Sequence, residues 1–364
     1  MNKVRLIDIC QPKQWKTIPT SQLTKEGYPV YGANGKIGFY SKYNHEKETI
    51  LITCRGATCG SLNISEPFSY VNGNAMCLDK LDDSVLLKYL YYNLCGYNFS
   101  KVISGTAQPQ ITGEGLSKVV LNIHSANEQK IIVDLFEKLE KILISQDLYY
   151  QKLDELIKSR FVEMFGDPIL NPKGWEMTTI GEIVTEVKYG TSRPAIDGGK
   201  YAYLRMNNLT YDGYLDLADL KRIDIPDSEI DKCIVRKGDV LFNRTNSIEL
   251  VGKTCVFDKD EDMIIAGYII RVRLKPVMLP LIMSYFMNTD ALKKKLRSMA
   301  KGAVNQANIN AQELKAIKIY LPPTDLQQQF ADFVAQTDKS KLVVKKQIEK
   351  LETLKKSLMQ EYFG

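Results

Sequence analysis

Two long stretches of the chain carry apolar residues at helical spacing. Residues 127–165 contain no glycine or proline, and their apolar side chains recur every three or four positions, with one interruption at Gln146. This spacing predicts a long amphipathic helix with a heptad seam. A second stretch at the C-terminal end has the same spacing and a more polar middle. The apolar seam positions are Ile132, Leu135, Leu139, Ile142, Tyr149, Leu153 and Leu156 in the first stretch, and Phe330, Phe333, Val344, Leu351, Leu354 and Leu358 in the second.

The two stretches belong to an internal repeat. The segment that begins at Gln129 resembles the segment that begins at Gln327, 198 residues later, and the match continues to Phe165-Gly166 and Phe363-Gly364. A period of this length indicates two tandem units, each with a globular part followed by a helix, and excludes a solenoid of short repeats. The predicted divisions are 1–125, 126–166, 167–322 and 323–364.

The globular parts have β-rich runs separated by Gly, Asn and Asp turns, at residues 49–53, 119–123, 240–242, 264–272 and 317–321. These runs predict mostly β units with about one helix each, at residues 84–94 and 279–287, and hence an α+β fold. Two amphipathic helices from one chain bury their seams most economically on each other, as an antiparallel coiled coil. Packing of each helix on its own globular part is the alternative.

Composition and charge narrow the class of protein. The 364 residues are 44% hydrophobic and 25% charged, which supplies material for folded cores. The formal net charge is +6. Residues 1–125 have a net charge of +4 and residues 167–322 of +3, whereas the two helical stretches together have −1, so phosphate contacts belong to the globular parts. No apolar run is long enough for a membrane span, and no secretory leader is apparent, so we expect a cytoplasmic protein with reduced cysteines.

The sequence offers little catalytic chemistry. His45 and His124 are isolated, the cysteines lack a zinc-binding spacing, and the glycines around Lys36 are too closely spaced for a phosphate-binding loop. We therefore predict no catalytic residue and no metal site.

Amide side chains stand out in one loop of each unit. Residues 105–112 and 302–310 are bounded by glycine and are rich in Gln and Asn. An amide group can bond N6 and N7 of adenine together, which makes these loops candidates for reading DNA bases. The candidate side chains are Thr106, Gln108 and Gln110 in the first loop and Asn305, Gln306 and Asn308 in the second.

Arginines follow a strand at a similar place in each unit. Arg55 follows the strand at residues 49–53, and Arg244 stands between Asn243 and Asn246 after the strand at 240–242. An arginine there can read guanine or grip a phosphate. The structural alternatives are an Asx-type turn and a surface ion pair. Recurrence in both units favours the DNA-binding interpretation.

At these residues the chain resembles a known family. Residues 30–39 with Gly32-Ala33-Asn34-Gly35-Lys36, residues 105–112 and residues 127–131 are similar to the DNA specificity subunit of Type I restriction-modification enzymes. Matching signs in the second unit are residues 203–205, 238–241 and 305–309, and Pro322-Pro323 ahead of Gln327. The resemblance covers essentially the whole chain and adds Asn34, Lys36, Arg205 and Asn207 to the candidate DNA-binding residues.

The resemblance implies a non-catalytic guide. Each globular part would be a target recognition domain that reads one half of a bipartite double-stranded DNA target. The helices would set the gap between the halves and dock two methyltransferase subunits. Those partners would bring S-adenosylmethionine, and motor-nuclease subunits would use ATP and Mg, while this chain would bind no cofactor and no membrane.

Two functions from other classes stay open on the residues alone. One is a coiled-coil scaffold that never touches DNA, which a salt-dependent DNA-binding assay would separate. The other is a nuclease with an unrecognised site, which metal-dependent cleavage by the purified chain would reveal.

Overall fold

The structure of the chain, a computed structural model, describes residues 2–105, 108–303 and 306–364. The chain divides into two compact units, the first made of the residues up to Leu148 together with Lys345–Gly364, and the second of Tyr149–Val344. This division differs from the predicted four parts because each long helix contributes one segment to each unit.

The first unit is mostly β. Its strands are β1 (Asn2–Arg5), β2 (Gln11–Gln14), β3 (Tyr28–Gly32), β4 (Gly35–Tyr40), β5 (Ile50–Thr53), β6 (Leu62–Ile64), β7 (Tyr70–Val71), β8 (Ala75–Asp79), β9 (Ile103–Ser104), β10 (Gln110–Ile111) and β11 (Val120–Ile123). Its helices are α1 (Leu6–Ile9), α2 (Leu87–Gly96), α3 (Gly113–Ser117) and the first part of α4 (Ala126–Phe165), with 3-10 turns at Thr20–Gln22 and Phe99–Lys101.

An antiparallel sheet in the order β2-β8-β5-β6 forms the centre of the first unit. All four residues of β5 are buried, which explains why Ile50, Leu51 and Ile52 follow one another without a polar residue between them. A second sheet, β4-β3-β7, carries the β3–β4 hairpin, and β1 pairs with β11. The core extends from these strands to Phe136 on α4.

The second unit repeats this plan with insertions. Its strands are β12 (Glu176–Thr179), β13 (Val184–Tyr189), β14 (Tyr201–Leu204), β15 (Lys221–Ile223), β16 (Ile234–Val235), β17 (Val240–Asn243), β18 (Thr245–Asn246), β19 (Thr254–Val256), β20 (Met263–Ile265), β21 (Ile269–Leu274), β22 (Lys301–Ala303), β23 (Gln306–Asn308) and β24 (Lys318–Leu321). Its helices are α5 (Ile180–Ile183), α6 (Asp227–Cys233), α7 (Pro280–Asn288), α8 (Asp290–Met299), α9 (Ala311–Lys315) and the first part of α10 (Thr324–Phe363), with a 3-10 turn at Met206–Asn208.

The sheets of the second unit correspond to those of the first. The order β13-β21-β17-β19 matches the central sheet, β15-β14-β20-β16 contains the counterpart of the β3–β4 hairpin, and β12 pairs with β24 as β1 does with β11. The predicted tandem α+β architecture is therefore confirmed, and the duplication extends to strand order.

Gln129 and Gln327 show the repeat at the level of single hydrogen bonds. Both side chains are buried. The Gln129 Oε1 accepts from the Leu86 backbone N–H at 2.9 Å, and its Nε2 donates to Ser84 O and His124 O. The Gln327 amide makes the same three bonds, from Leu279 and to Val277 and Pro322. Each glutamine ties the start of a long helix to the short helix before it, α2 or α7.

Within each unit, segments of α4 and α10 pack against each other. In the first unit the Phe136 ring lies 5.9 Å from the Phe363 ring, and Glu140 Oε1 lies 2.7 Å from Lys355 Nζ. As the number rises along α4 it falls along α10, so the segments run antiparallel. This confirms the predicted direction of pairing.

The second unit has the same antiparallel arrangement. Asp154 Oδ1 lies 2.7 Å from Lys341 Nζ, and the Phe161 ring lies 5.4 Å from the Phe330 ring. Phe161 also stacks on Tyr285 of α7. The helix segment therefore buries one face on its partner helix and another on the globular part, so both of the predicted packing alternatives apply.

The predicted heptad seam is partly wrong. Leu139, Leu153 and Val344 are buried, and Leu135, Phe333, Leu351 and Leu358 are half-buried, as the pattern predicts. Four seam positions are exposed instead, by 47% at Ile142, 50% at Tyr149 and 48% at Leu156 and Leu354. Buried apolar positions that the seam missed are Val133 and Val334, and also Phe136, Ile157, Phe161 and Phe165. The last three are spaced four residues apart, and they are buried because a helix covered on two sides buries a wider stripe than a coiled-coil seam.

Among residues 2–105, 108–303 and 306–364, none of the helices is both long and apolar enough to span a bilayer.

Candidate nucleic-acid interface

Three segments of the first unit that carry candidate residues lie next to one another. Asn34, in the turn between β3 and β4, accepts a hydrogen bond from the Thr58 hydroxyl at 2.6 Å. Thr58 belongs to the loop after β5, and Gly56 in that loop donates its N–H to Pro109 O at 3.1 Å. The Ile111 N–H donates to Cys54 O at 3.0 Å. The fold therefore gathers Asn34, the Arg55 loop and the β9–β10 hairpin into one region.

Most candidate side chains of this region are free to meet a ligand. Asn34, Lys36, Arg55 and Gln108 are exposed, and Gln110 is half-buried. Lys36 Nζ lies 3.3 Å from Glu66 Oε1 and 4.6 Å from the centre of the Phe39 ring. Among the described residues, no carboxylate lies within salt-bridge distance of Arg55, so the surface ion pair does not account for this side chain. Thr106 lies outside the described residues.

The β9–β10 hairpin requires glycine at its corner. Gly105 has φ +86°, and a Cβ on it would lie 2.6 Å from Gln108 O. Gly302, at the corresponding corner of the second unit, has φ +116°, and its Cβ would lie 2.5 Å from Gln306 O. Both conditions exclude larger residues, since L-residues rarely adopt these angles and the carbonyl fills the space. The two amide-rich loops thus share the same kind of corner, a glycine with positive φ packed against a carbonyl oxygen.

In the second unit, the residues after β17 pair with the β22–β23 hairpin. Thr245 lies opposite Asn308, and the Ile309 N–H donates to Arg244 O at 2.9 Å. Gln306 is exposed and Asn308 is half-buried. Asn305 lies outside the described residues. The arrangement mirrors the first unit, where Ile111 donates to Cys54.

Arg244 is held in place by several groups. Its guanidinium lies 4.8 Å from the centre of the Tyr189 ring, Nη1 donates to Gly267 O at 3.4 Å, and Nη2 lies 3.3 Å from Asn308 Oδ1. Its Nε is buried, and among the described residues it has no hydrogen-bond partner. No carboxylate of the described residues pairs with it, so the surface ion pair is again not the explanation.

The structure corrects the role of Asn243. This side chain is completely buried. Its Nδ2 donates to Thr245 O and Tyr268 O at 3.1 Å, and its Oδ1 accepts from Asn246 Nδ2 at 2.8 Å. Asn246 Oδ1 in turn accepts from the Ser247 N–H. Asn243 therefore cannot contact DNA directly, and the pair shapes the turn, as the Asx-type alternative predicts.

The two arginines are not equivalent, which corrects a second expectation. Arg244 bonds Ile309 in the second unit as Cys54 bonds Ile111 in the first, so Arg244 corresponds to Cys54. Thr245 lies opposite Asn308 as Arg55 lies opposite Gln110, so Arg55 corresponds to Thr245. Arg55 and Arg244 are therefore one residue out of register. Since successive side chains of an extended segment point to opposite sides, one arginine is exposed and the other half-buried.

Arg205 and Asn207 lie at the end of β14. Arg205 Nη2 contacts Asp219 Oδ2 at 2.7 Å, so this arginine forms an ion pair, and Asp219 is 72% exposed. The pKa of Asp219 is lowered by hydrogen bonds from Arg205 and Lys221. Asn207 is exposed, whereas its neighbour Asn208 is buried and bonds the backbone. Asp219, which pairs with Arg205, and Tyr189, which lies against Arg244, are contacts of candidate residues that the sequence pattern did not single out.

One cluster has the composition of a metal site. The ligand atoms of His45, Cys77 and Asp79 lie within 4.8 Å of one another. Both ring nitrogens of His45 are occupied, by Asn44 Oδ1 at 2.7 Å and Asp79 Oδ1 at 2.9 Å. Burial raises the pKa of the Cys77 thiol, which opposes the thiolate that a metal needs. The cluster is better explained as a hydrogen-bonded group in the core.

The family is established by comparison with known proteins. Residues 1–151 and 172–353 each match the model of the Type I restriction modification DNA specificity domain, and the chain belongs to this family. The two matches correspond to the two halves of the internal repeat.

Curated relatives carry related names. The chain is 30% identical over 200 residues to the type I restriction enzyme MjaX specificity subunit of Methanocaldococcus jannaschii, covering 53% of this chain and 46% of the relative. It is 24% identical over 226 residues to the EcoKI specificity subunit of Escherichia coli, covering 57% and 48%. These alignments span about half the length of the relatives. A third, to the StySPI specificity subunit of Salmonella potsdam, is 22% identical and covers 94% and 74%.

Solved structures share the fold. The S subunit of a Type I restriction-modification system from M. genitalium matches with a TM-score of 0.58 at 17% identity, covering 100% of this chain and 96% of that one. A chain from a structure of type I R-M complex assembly matches with a TM-score of 0.63 at 16% identity, covering 100% and 97%.

Proposed function

We propose that this chain is the non-catalytic, sequence-specific DNA-binding subunit of a Type I restriction-modification complex. In this role each unit reads one half of a bipartite double-stranded target. The observation that carries the proposal is the recurrence, in both units of a member of the DNA specificity domain family, of a glycine-cornered amide hairpin beside the loop after a central strand.

Exposure and charge support a nucleic-acid ligand for this region. In the first unit, Arg55, Lys36 and Gln108 are exposed and belong to neighbouring segments. Together they offer two cations for phosphate groups and one amide for a base edge. In the second unit, Arg244 and Asn308 provide the same chemistry. A scaffold would not need such groups on the same loops of both units.

The family and the exposed apolar residues of the long helices indicate which protein subunits bind this chain. We infer that two methyltransferase subunits dock on α4 and α10 and bring S-adenosylmethionine, and that motor-nuclease subunits supply ATP- and Mg-dependent cleavage. The exposed apolar residues Ile142, Leu156 and Leu354 favour such docking, because they lie on the long helices without being needed for their mutual packing. The helices would also fix the gap between the half-sites.

The test is DNA binding as a function of salt. The full chain, co-purified with the proposed methyltransferase subunits, is titrated with a pool of duplexes and with the sequence enriched from that pool. We expect specific binding whose logarithm falls linearly with the logarithm of the salt concentration, because bound phosphates release counterions. Binding without sequence preference would contradict the proposal, no binding would support the scaffold, and Mg-dependent cleavage by the chain alone would support the nuclease.

A further inference from the structure

The connection between β14 and β15 in the second unit is much longer than its counterpart. Residues 205–220 join these strands, whereas residues 33–34 join β3 to β4 in the first unit. The longer segment, which we call the strut loop, begins at the candidate DNA-binding residues Arg205 and Asn207. Contacts made by the rest of the strut loop can therefore affect the positions of Arg205 and Asn207.

The base of the strut loop is closed by its own side chains. Arg205 Nη2 bonds Asp219 Oδ2 at 2.7 Å across the two ends of the loop. The buried Asn208 accepts from the Arg205 N–H and donates to Asp216 O, both at 2.8 Å. The position of Arg205 and the position of the loop are thus coupled through direct hydrogen bonds.

Two buried lysines hold the backbone of the strut loop. Lys253, 7% exposed, donates to Met206 O at 2.8 Å. Lys293, also 7% exposed, donates to Tyr211 O and lies 3.5 Å from the centre of the Tyr211 ring. At the tip, Gly213 has φ +89°, and a Cβ there would lie 2.6 Å from Asn288 Nδ2. The loop has one well-defined path over the unit.

The tip of the strut loop is fastened to both long helices. Tyr214 Oη donates to Asp154 Oδ1 of α4 at 3.0 Å. Lys341 of α10 donates to the same Asp154 oxygen at 2.7 Å, and its Nζ lies 3.3 Å from Tyr214 Oη and 4.6 Å from the centre of the Tyr214 ring. The Lys341 side chain is only 9% exposed. We call Asp154, Tyr214 and Lys341 the latch.

Tyr214 of the latch borders a cavity. About 670 Å³ of space lies beneath the tip, lined by Tyr211, Asp212 and Tyr214 from the loop and by Lys158 and Asp338 from the helices. Apolar packing is therefore incomplete on this side of the loop. A second contact, between Lys158 Nζ and Asp212 Oδ1 at 2.7 Å, has both side chains more than half exposed, and such pairs contribute little.

We propose that Asp154, Tyr214 and Lys341 are positioning residues for the recognition surface of the second unit. By fixing the strut loop to α4 and α10, they set where Arg205 and Asn207 stand relative to the helices. The first unit is built differently, since a short turn replaces the strut loop and Leu143 stands 198 residues before Lys341. The latch therefore acts on one half-site only. This inference rests on the proposed function.

The test measures base discrimination in each half-site separately. The full chain with its methyltransferase partners is compared as wild type, Lys341→Met, Asp154→Asn and Tyr214→Phe on duplexes with single base changes in either half and with the gap altered by one base pair. A single wrong base costs roughly tenfold or more in affinity when it is read. We expect Lys341→Met to reduce this discrimination about tenfold in the second unit's half-site, to tolerate the altered gap, and to leave the other half-site unchanged.

Controls separate positioning from folding. Lys158→Met removes the exposed neighbouring pair and should retain wild-type discrimination. Asp154→Asn and Tyr214→Phe keep the shape of the latch, so they test it even if Lys341→Met does not fold, and Asp154→Lys combined with Lys341→Asp should restore much of the discrimination. Unchanged discrimination in folded latch variants, or equal loss in both halves, would overturn the inference. A wild-type complex without base discrimination would refute the proposed function instead.

Discussion

The Nη2 of Arg244 lies 3.3 Å from the Oδ1 of Asn308, which joins the loop after β17 to the amide hairpin of the second unit. The Asn308 Nδ2 donates to the Thr245 hydroxyl at 2.9 Å, so its carbonyl oxygen is turned toward the arginine. Tyr189 supports the guanidinium from one side. A polar pair of this kind presents donors in a fixed direction, which is what reading a base edge requires.

Replacement of Arg244 or Asn308 by alanine should weaken specific DNA binding. A base contact is worth about 1–3 kcal/mol, and its loss relaxes one position of the target. Because the two residues touch, the double variant should lose less than the sum of the single losses. A titration with target duplexes measures this, with Arg236→Ala as the matched control, since Arg236 is exposed and paired with Asp262 at 3.5 Å. Additive losses would show that the contact does not orient Arg244.

Two substitutions of Arg55 can distinguish a contact that needs only its positive charge from one that needs its guanidinium geometry. This exposed side chain has no ion-pair partner among the described residues, so Arg55→Ala removes only contacts with the ligand. We compare Arg55→Ala with Arg55→Lys, which keeps the charge and loses the bidentate fork. If Arg55 reads a base, both variants should relax one target position. If it binds a phosphate, only the alanine variant should weaken binding and lower the salt slope by about one. Unchanged affinity and slope in both would remove Arg55 from the interface.

The buried Lys293 predicts a pH-dependent stability of the second unit. Burial lowers the pKa of Lys293 from its ordinary 10.5 to about 8, although Asp212 opposes the shift. Between these two values the unfolded chain keeps a proton that the folded chain has released, so the free energy of unfolding rises with pH over this window. The rise attributable to Lys293 is about 3 kcal/mol at most.

Denaturant unfolding of wild type and Lys293→Met at pH 7 and pH 10 measures this contribution. The wild type should gain free energy of unfolding relative to the variant as the pH is raised, because methionine carries no proton to release. Other titrating groups are common to both proteins and cancel in the difference. Identical pH profiles would show that Lys293 titrates at its ordinary pKa.

The repeat and the long helices could be predicted because the sequence shows them directly, as matching segments and as apolar residues at helical spacing. The 198-residue offset aligned Gln129 with Gln327, and the structure gives both the same hydrogen bonds. Which faces of these helices are buried was harder to predict from the sequence. Phe136 and Phe161 are buried by contacts with the globular parts as well as with the partner helix, and a heptad pattern describes only the latter.

The candidate site was predicted as a set of segments but not as a set of contacts. Asn243 and Asn308 are the same residue type, each at the end of a strand, and only the fold makes one completely buried and the other half-buried. The latch joins Lys341 to Asp154 over 187 residues of sequence, and no local pattern reports such a pair. The register difference between Arg55 and Arg244 likewise depends on strand pairing.

The length of the helices should set the gap between half-sites. Helix α4 has 40 residues, which corresponds to about 60 Å, or about 18 base pairs of B-DNA. Insertion of one heptad in both helices, after Ser145 and after Val343, keeps the apolar period and adds about 10 Å. The gap should widen by up to about 3 base pairs, as measured by mapping methylated sites. Insertion in one helix alone, the control, should disrupt the pairing. A double insertion that methylates only the original gap would contradict the spacer role.

An exchange of one unit, followed by mapping of methylation, shows whether each unit reads its own half of a bipartite target. Residues 1–125 are replaced by the corresponding domain of a family member with a different target, and adenine methylation is mapped across the genome of a host that supplies the methyltransferase subunits. The account predicts a bipartite motif in which one half changes and the other half is retained. A motif that changes in both halves, or a methylation pattern that does not depend on this chain, would contradict it.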